Sequence, residues 1–121
     1  MLMSLIAAAS ISSSALSYEE AKRLADLDEA ALQPKQSTAL VESQGAVAGP
    51  AFASCLPSPP PISLPSFTIV LSLDASGAPR ETWLKGDTEF AQCVRERFAA
   101  ATFFQPPKAP FYTSFEFTFK P

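Results

Sequence analysis

From Tyr18 to Leu32 (YEEAKRLADLDEAAL) apolar residues recur at helical spacing, with Ala21, Leu24, Ala25, Leu27 and Leu32 set among strong helix formers. Ser17 and Glu20 stand three apart at the start of this run, the spacing of a capping box, and Glu19 precedes Arg23 by four. The pattern predicts a helix with a modest apolar stripe that must pack on something, and it puts Asp26, Asp28 and Glu29 on the solvated face. The chain restarts at Pro34, a favoured first helical residue, and Leu40, Val47, Ala48, Ala51, Phe52 and Cys55 again recur at intervals of three and four. A second helix is predicted to about Ala48, because Pro50 between Gly49 and Ala51 would kink or break anything running on to Cys55.

Prolines at 57, 59, 60, 61 and 65 then impose an extended connector. Beyond it the period changes to two. Phe67, Ile69, Leu71 and Leu73 share one face of a half-buried strand, with Thr68, Ser72 and Asp74 on the other. Asp74-Ala75-Ser76-Gly77 supplies turn chemistry, and Pro79 to Leu84 (PRETWL) returns as the second arm of a hairpin. Asp87 is placed to cap a third helix from about Thr88 to Ala101, whose stripe is Phe90, Cys93, Val94, Arg97, Phe98 and Ala101. After Pro106, Pro107 and Pro110, the residues Phe111, Thr113, Phe115, Phe117 and Phe119 alternate with Tyr112, Ser114, Glu116, Thr118 and Lys120, the clearest strand signal in the chain.

These elements predict an α+β fold in which two N-terminal helices (residues 18–56) are joined through a spacer (57–65) to a ββαβ module (66–121). Right-handed crossover places the last strand parallel to the second and antiparallel beside the first, completing a three-stranded sheet. The third helix then covers one face, the other is either covered by the N-terminal helices or left wet, and a Cys55–Cys93 bond would favour the helices gathering on one side.

Residues Leu2 to Leu16 are apolar or small and uncharged, too short a run for a membrane-spanning helix, and fit the hydrophobic part of a signal peptide over 1–17. Cleavage after Ala15 or after Ser17 satisfies the small-residue rule, and an uncleaved apolar N-terminal segment is the competing reading. Export makes the two cysteines, Cys55 and Cys93, a disulfide by default, against the alternative of two buried thiols. Such a bond would clamp the helical half to the sheet module. The expected location is periplasmic or secreted.

The chain of 121 residues has room for one modest domain, and its net charge of −3 offers no footprint for a phosphate backbone, so nucleic-acid binding is not expected. With no histidine, Ser-His-Asp, Cys-His and histidine-metal sites are excluded, and two cysteines alone cannot complete a usual zinc site. The four glycines form no phosphate-cradling loop. The carboxylates of Asp26, Asp28, Glu29, Glu81, Asp87 and Glu89 read as solvated charge rather than a catalytic pair. No enzyme and no cofactor is therefore expected. Trp83 fits either core packing or a partner anchor.

The run Phe67-Thr68-Ile69-Val70-Leu71-Ser72-Leu73-Asp74-Ala75-Ser76-Gly77-Ala78-Pro79, the segment Phe90 to Phe98 containing Cys93-Val94, then Phe104-Gln105-Pro106-Pro107 and the closing Phe115-Glu116-Phe117-Thr118-Phe119 resemble the TonB C-terminal domain superfamily. The likeness covers about residues 55 to 121 and is strongest to small exported branches with two cysteines. It implies a module that binds an envelope protein by adding a partner strand near the last strand, beside Tyr112, Ser114, Glu116 and Thr118. Trp83, Phe111, Tyr112, Ser114 and Glu116 are accordingly the expected partner-binding residues. No counterpart of the anchor and charged spacer that couple TonB to its motor is expected in this chain. An alternative function is a periplasmic inhibitor or immunity protein that presents the loop from Pro106 to Tyr112 to a secreted enzyme.

Overall fold

The computed structural model describes residues 16–61 and 63–119, so the expected signal peptide lies outside it except for Leu16 and Ser17. Helix α1 (Tyr18–Ala30) starts on the capping box: the Ser17 amide donates to Glu20 Oε1 at 3.0 Å and the Glu20 amide to Ser17 Oγ at 3.1 Å. It ends before the expected Leu32, with Ala31 as its C-terminal cap.

Helix α2 (Pro34–Cys55) runs unbroken through Pro50, a correction to the predicted stop near Ala48. Proline removes one backbone bond, but tertiary contacts beyond it hold the last turn. Ala51 is buried, the Phe52 ring meets Phe117 edge-on at 4.9 Å, and Cys55 is bonded to Cys93. The penalty for an interior proline is thus offset by side chains that need the helix to continue.

Strands β1 (Phe67–Leu73), β2 (Pro79–Lys85) and β3 (Phe111–Phe117) form a sheet of order β2-β1-β3, with β1 antiparallel to both neighbours. Val70 pairs with Trp83 on one side and Ser114 on the other. In the β1–β2 turn, Gly77 has φ +88°, and a Cβ there would run into the carbonyls of Phe103 and Phe104. The Phe103 amide in turn donates to the Gly77 carbonyl at 2.9 Å, so this turn is pinned against the segment leading to β3. Helix α3 (Glu89–Ala99) is capped by Thr88, whose hydroxyl accepts from the Ala91 amide at 3.0 Å, and not by Asp87 as the sequence suggested.

The first face of the sheet carries the main core. Ile69, Leu71, Leu73, Phe111 and Phe115 are buried there against α2 and α3, with Phe98 meeting Phe115 at 4.8 Å between ring centres. The Cys55–Cys93 disulfide joins α2 to α3 across a Cα separation of 5.8 Å, clamping the helical segment to the sheet module. The helices do not gather on one side. Helix α1 lies on the second face, where Ala21 and Ala25 are fully buried on Val70, with Tyr18, Trp83 and Tyr112 around them. Strand β1 is consequently buried on both faces rather than half-buried. The sheet is sandwiched because Val70 and Trp83 leave an apolar patch that only a helix with alanines can approach closely.

Candidate functional site

An edge strand presents every second amide outward, and the pairing of β1 fixes which ones. On β3 the outward amides are those of Tyr112, Ser114 and Glu116. On β2 the Glu81 amide points inward, donating to Ser72 Oγ at 3.1 Å, which leaves those of Thr82 and Leu84 facing out.

Helix α1 closes much of the β3 edge with two consecutive carboxylates. The Tyr112 amide donates to Asp28 Oδ2 at 2.9 Å, and the Ser114 amide donates to Glu29 Oε2 at 2.9 Å. Lys108 Nζ donates to Asp28 Oδ1 at 3.0 Å, and the Thr113 hydroxyl donates to Glu29 Oε2 while accepting from Gln44 Nε2 of α2 at 3.2 Å. Asp28 is only 9% exposed. The acidic run was expected to be solvated, and for these two residues that expectation is overturned. Each carboxylate is held because backbone donors at a strand edge replace its lost hydration with charge-assisted bonds.

The residues expected to bind a partner lie in different surroundings. Phe111 is a core residue, 1% exposed, with its ring 5.3 Å from that of Phe104. Tyr112 and Ser114 lie at the edge, as expected, but their amides are engaged by α1. Glu116 is exposed and 3.1 Å from Lys22 Nζ, which also holds Asp26 at 2.8 Å. Hydrogen bonding to Asp26, with Glu116 adding to it, raises the Lys22 pKa. The loop from Pro106 to Tyr112 is tied to α1 at Lys108 and at the Tyr112 amide, while Pro107 to Pro110 are exposed. Burial, reinforced by the nearby Glu81 and Asp28 carboxylates, raises the pKa of the Tyr112 phenol.

Trp83 stands half-buried on the second face, 6.0 Å from the Tyr112 ring, and its indole N–H donates to the Leu16 carbonyl at 2.8 Å. The tryptophan is thus part of the packing that seats α1. Beside it the β2 edge differs from β3 in how its outward amides are met. Among the described residues no group outside the sheet hydrogen-bonds the Thr82 or Leu84 amide. The strand opens at Pro79, carries a register shift opposite Ser72 and Leu73, and bears Arg80, Glu81 and Lys85. Arg80 reaches back to Asp74 at 2.9 Å.

Two grooves flank the stretch of β3 that α1 leaves open. One, of about 470 Å³, lies between Tyr18 and Lys22 of α1 and Thr68, Lys85 and Glu116 of the sheet. The other, of about 320 Å³, separates Val41, Gln44 and Ala48 of α2 from the segment Ser114 to Phe117. Among the described residues no helix is long and apolar enough to cross a membrane. No protein-family model, curated protein or solved structure matches the chain.

Proposed function

We propose that the chain is a non-enzymatic protein-binding module of the cell envelope, TonB C-terminal-like in its ββαβ half, that engages its partner by strand addition at the β2 edge. The observation that carries this reading is the pair of outward amides on Thr82 and Leu84, open on a strand whose other side is fixed in register by β1. An added strand gains main-chain hydrogen bonds there, while Arg80, Glu81 and Lys85 select its charge pattern. The edge near the last strand, which the family resemblance would favour, has its Tyr112 and Ser114 donors committed to α1.

Export is the setting in which the disulfide persists, and periplasmic or secreted placement belongs to the same proposal. The contacts of Leu16 and Ser17 favour signal cleavage after Ala15. Cutting after Ser17 would remove both the carbonyl that receives the Trp83 indole and the helix cap. Mass spectrometry of the mature N-terminus should then read Leu16, and a chain beginning at Tyr18 would refute that site.

Proline at an outward position removes only an edge donor, so Thr82→Pro leaves the internal ladder intact. In pull-down from an envelope fraction, Thr82→Pro should abolish recovery of a partner that wild type and Glu116→Ala both retain. Equal recovery by all three proteins would count against the β2 edge.

A further inference from the structure

Helix α1 carries Glu19 and Glu20 in its first turn, where the dipole favours them, but two more carboxylates sit at the opposite end. Asp28 and Glu29 lie in its last turn, which contains no basic residue, and carboxylates there oppose the helix dipole. Both are instead spent on the β3 edge, where their oxygens stand at the amides of Tyr112 and Ser114, the positions a neighbouring strand's carbonyls would occupy. We propose that α1 is a reversible plug on the β3 edge, and that the surface beneath it pairs with the same edge of a second copy of this chain once α1 lifts. This goes beyond the binding role assigned to β2 and does not depend on it.

Three observations support the choice of occupant. From Phe111 to Phe119 the strand and its extension (FYTSFEFTF) contain one charge, Glu116, and five phenylalanines or tyrosines that mark it as strongly strand-forming. The sequence is also self-complementary in antiparallel register. With Ser114 on a two-fold axis, Tyr112 falls opposite Glu116, Thr113 opposite Phe115 and Phe111 opposite Phe117. Core-face residues then meet core-face residues, the outward amides of 112, 114 and 116 all find carbonyls, and no like charges meet. Moving the axis to Glu116 would instead oppose two carboxylates. Finally, the edge is already open at Glu116, flanked by the two grooves, so pairing can begin there without α1 leaving first.

The contacts of α1 permit its release. Its fully buried apolar side chains are the small ones of Ala21 and Ala25 on Val70, its other buried side chain is Asp28, Leu27 is left 57% exposed, and the helix is joined to α2 through the short turn at residues 31–33. Removing its two carboxylates should therefore expose the strand without unfolding the disulfide-clamped core.

The test is sedimentation of the full chain across a concentration series reaching about 200 μM. Wild type should remain monomeric. Asp28→Ala/Glu29→Ala should form a dimer, and adding Ser114→Pro should return it to monomer. A double variant that stays monomeric throughout overturns the proposal. So does a dimer insensitive to Ser114→Pro, or a wild-type dimer lost on removing the carboxylates, which would mean that α1 is exchanged between copies. If the double variant fails to fold, hydrogen exchange on wild type decides the matter. The amides of Tyr112 and Ser114 should exchange at least about tenfold faster than that of Val70, through local release of α1. Equal rates would show that α1 leaves only on global unfolding and would overturn the plug.

Discussion

Strands β2 and β3 are both edges of one three-stranded sheet, both seven residues long, and they are protected in opposite ways. Strand β2 keeps its outward amides bare and relies on Pro79, a register shift and the charges of Arg80, Glu81 and Lys85. Strand β3, almost uncharged and rich in phenylalanine, has its amides bonded to carboxylates from α1. Charge and irregularity discourage unspecific pairing while leaving an edge open to a specific strand, whereas a covering helix removes the edge from use. The difference separates a candidate recognition surface from a guarded one within a single sheet.

The largest expected effect tests what the guard depends on. Helix α1 packs directly on the β3 edge and is followed, across the turn at residues 31–33, by α2, which is fixed by Cys55 to Cys93 in α3. Opening this bond, by reduction or by Cys55→Ala/Cys93→Ala, should lower stability in denaturant titration by about 3–4 kcal/mol through loss of the loop constraint. If the guarded edge depends on α2, exchange protection at Tyr112 and Ser114 should fall with it, while the β1–β2 hairpin keeps more of its own. Uniform loss at both edges would show that the comparison is one of sequence only.

A middle-sized effect separates the two edges directly. Asp28→Ala forfeits charge-assisted bonds worth about 1.5–3 kcal/mol, of which the better helix former and the relieved dipole return about 0.5–1 kcal/mol. A net loss of about 1–2 kcal/mol is expected. Ser114→Pro, which strips a bonded amide from β3, should cost about as much, while Thr82→Pro on the bare edge should stay within about 1 kcal/mol of wild type. Similar costs for the two proline variants would mean that the β2 edge has a partner within the fold.

Much of this architecture is written in short-range pattern. The capping pair Ser17 and Glu20, the period-two runs through Phe67 and Phe111, and the even pair of cysteines lead to helix, sheet and disulfide without long-range information. Continuation of α2 past Pro50 is not legible locally, because it depends on Phe52 and Cys55 finding Phe117 and Cys93 far along the chain. The placement of α1 is the more instructive case. Asp28 reads as surface charge by residue type, yet it continues the buried stripe of Ala21 and Ala25 at i, i+4 and i+7. A carboxylate on that stripe, at a helix end that disfavours it, signals a donor elsewhere in the fold. Recognising the donor as a strand edge requires knowing which face α1 covers, and that is decided by Val70, which falls on the strand face opposite Phe67 and Ile69, together with Trp83, which the sequence allows as either core or partner anchor.

The smallest expected effect belongs to the open side of the comparison. Asp74 accepts from the Ser76 hydroxyl at 2.6 Å, the Ser76 amide at 2.9 Å and the Ala78 amide at 3.0 Å, with Arg80 of β2 at 2.9 Å. These bonds, the Ser76 hydroxyl foremost, lower its pKa from 3.8 to about 2. A folded-state value below the unfolded one means that the carboxylate's contribution is complete above pH 3.8 and is lost as the pH falls through about 2. Asp74→Asn should therefore flatten the stability profile of the hairpin between those limits and lower it somewhat at neutral pH, where the carboxylate's contribution is complete. Because the turn starts β2, exchange at Thr82 and Leu84 should report the same window, while Tyr112 and Ser114, guarded by different carboxylates, should not follow Asp74→Asn. A change of equal size at both edges would show that the turn and the α1 guard open as one unit, and the two protections would then have to be treated as a single cooperative structure.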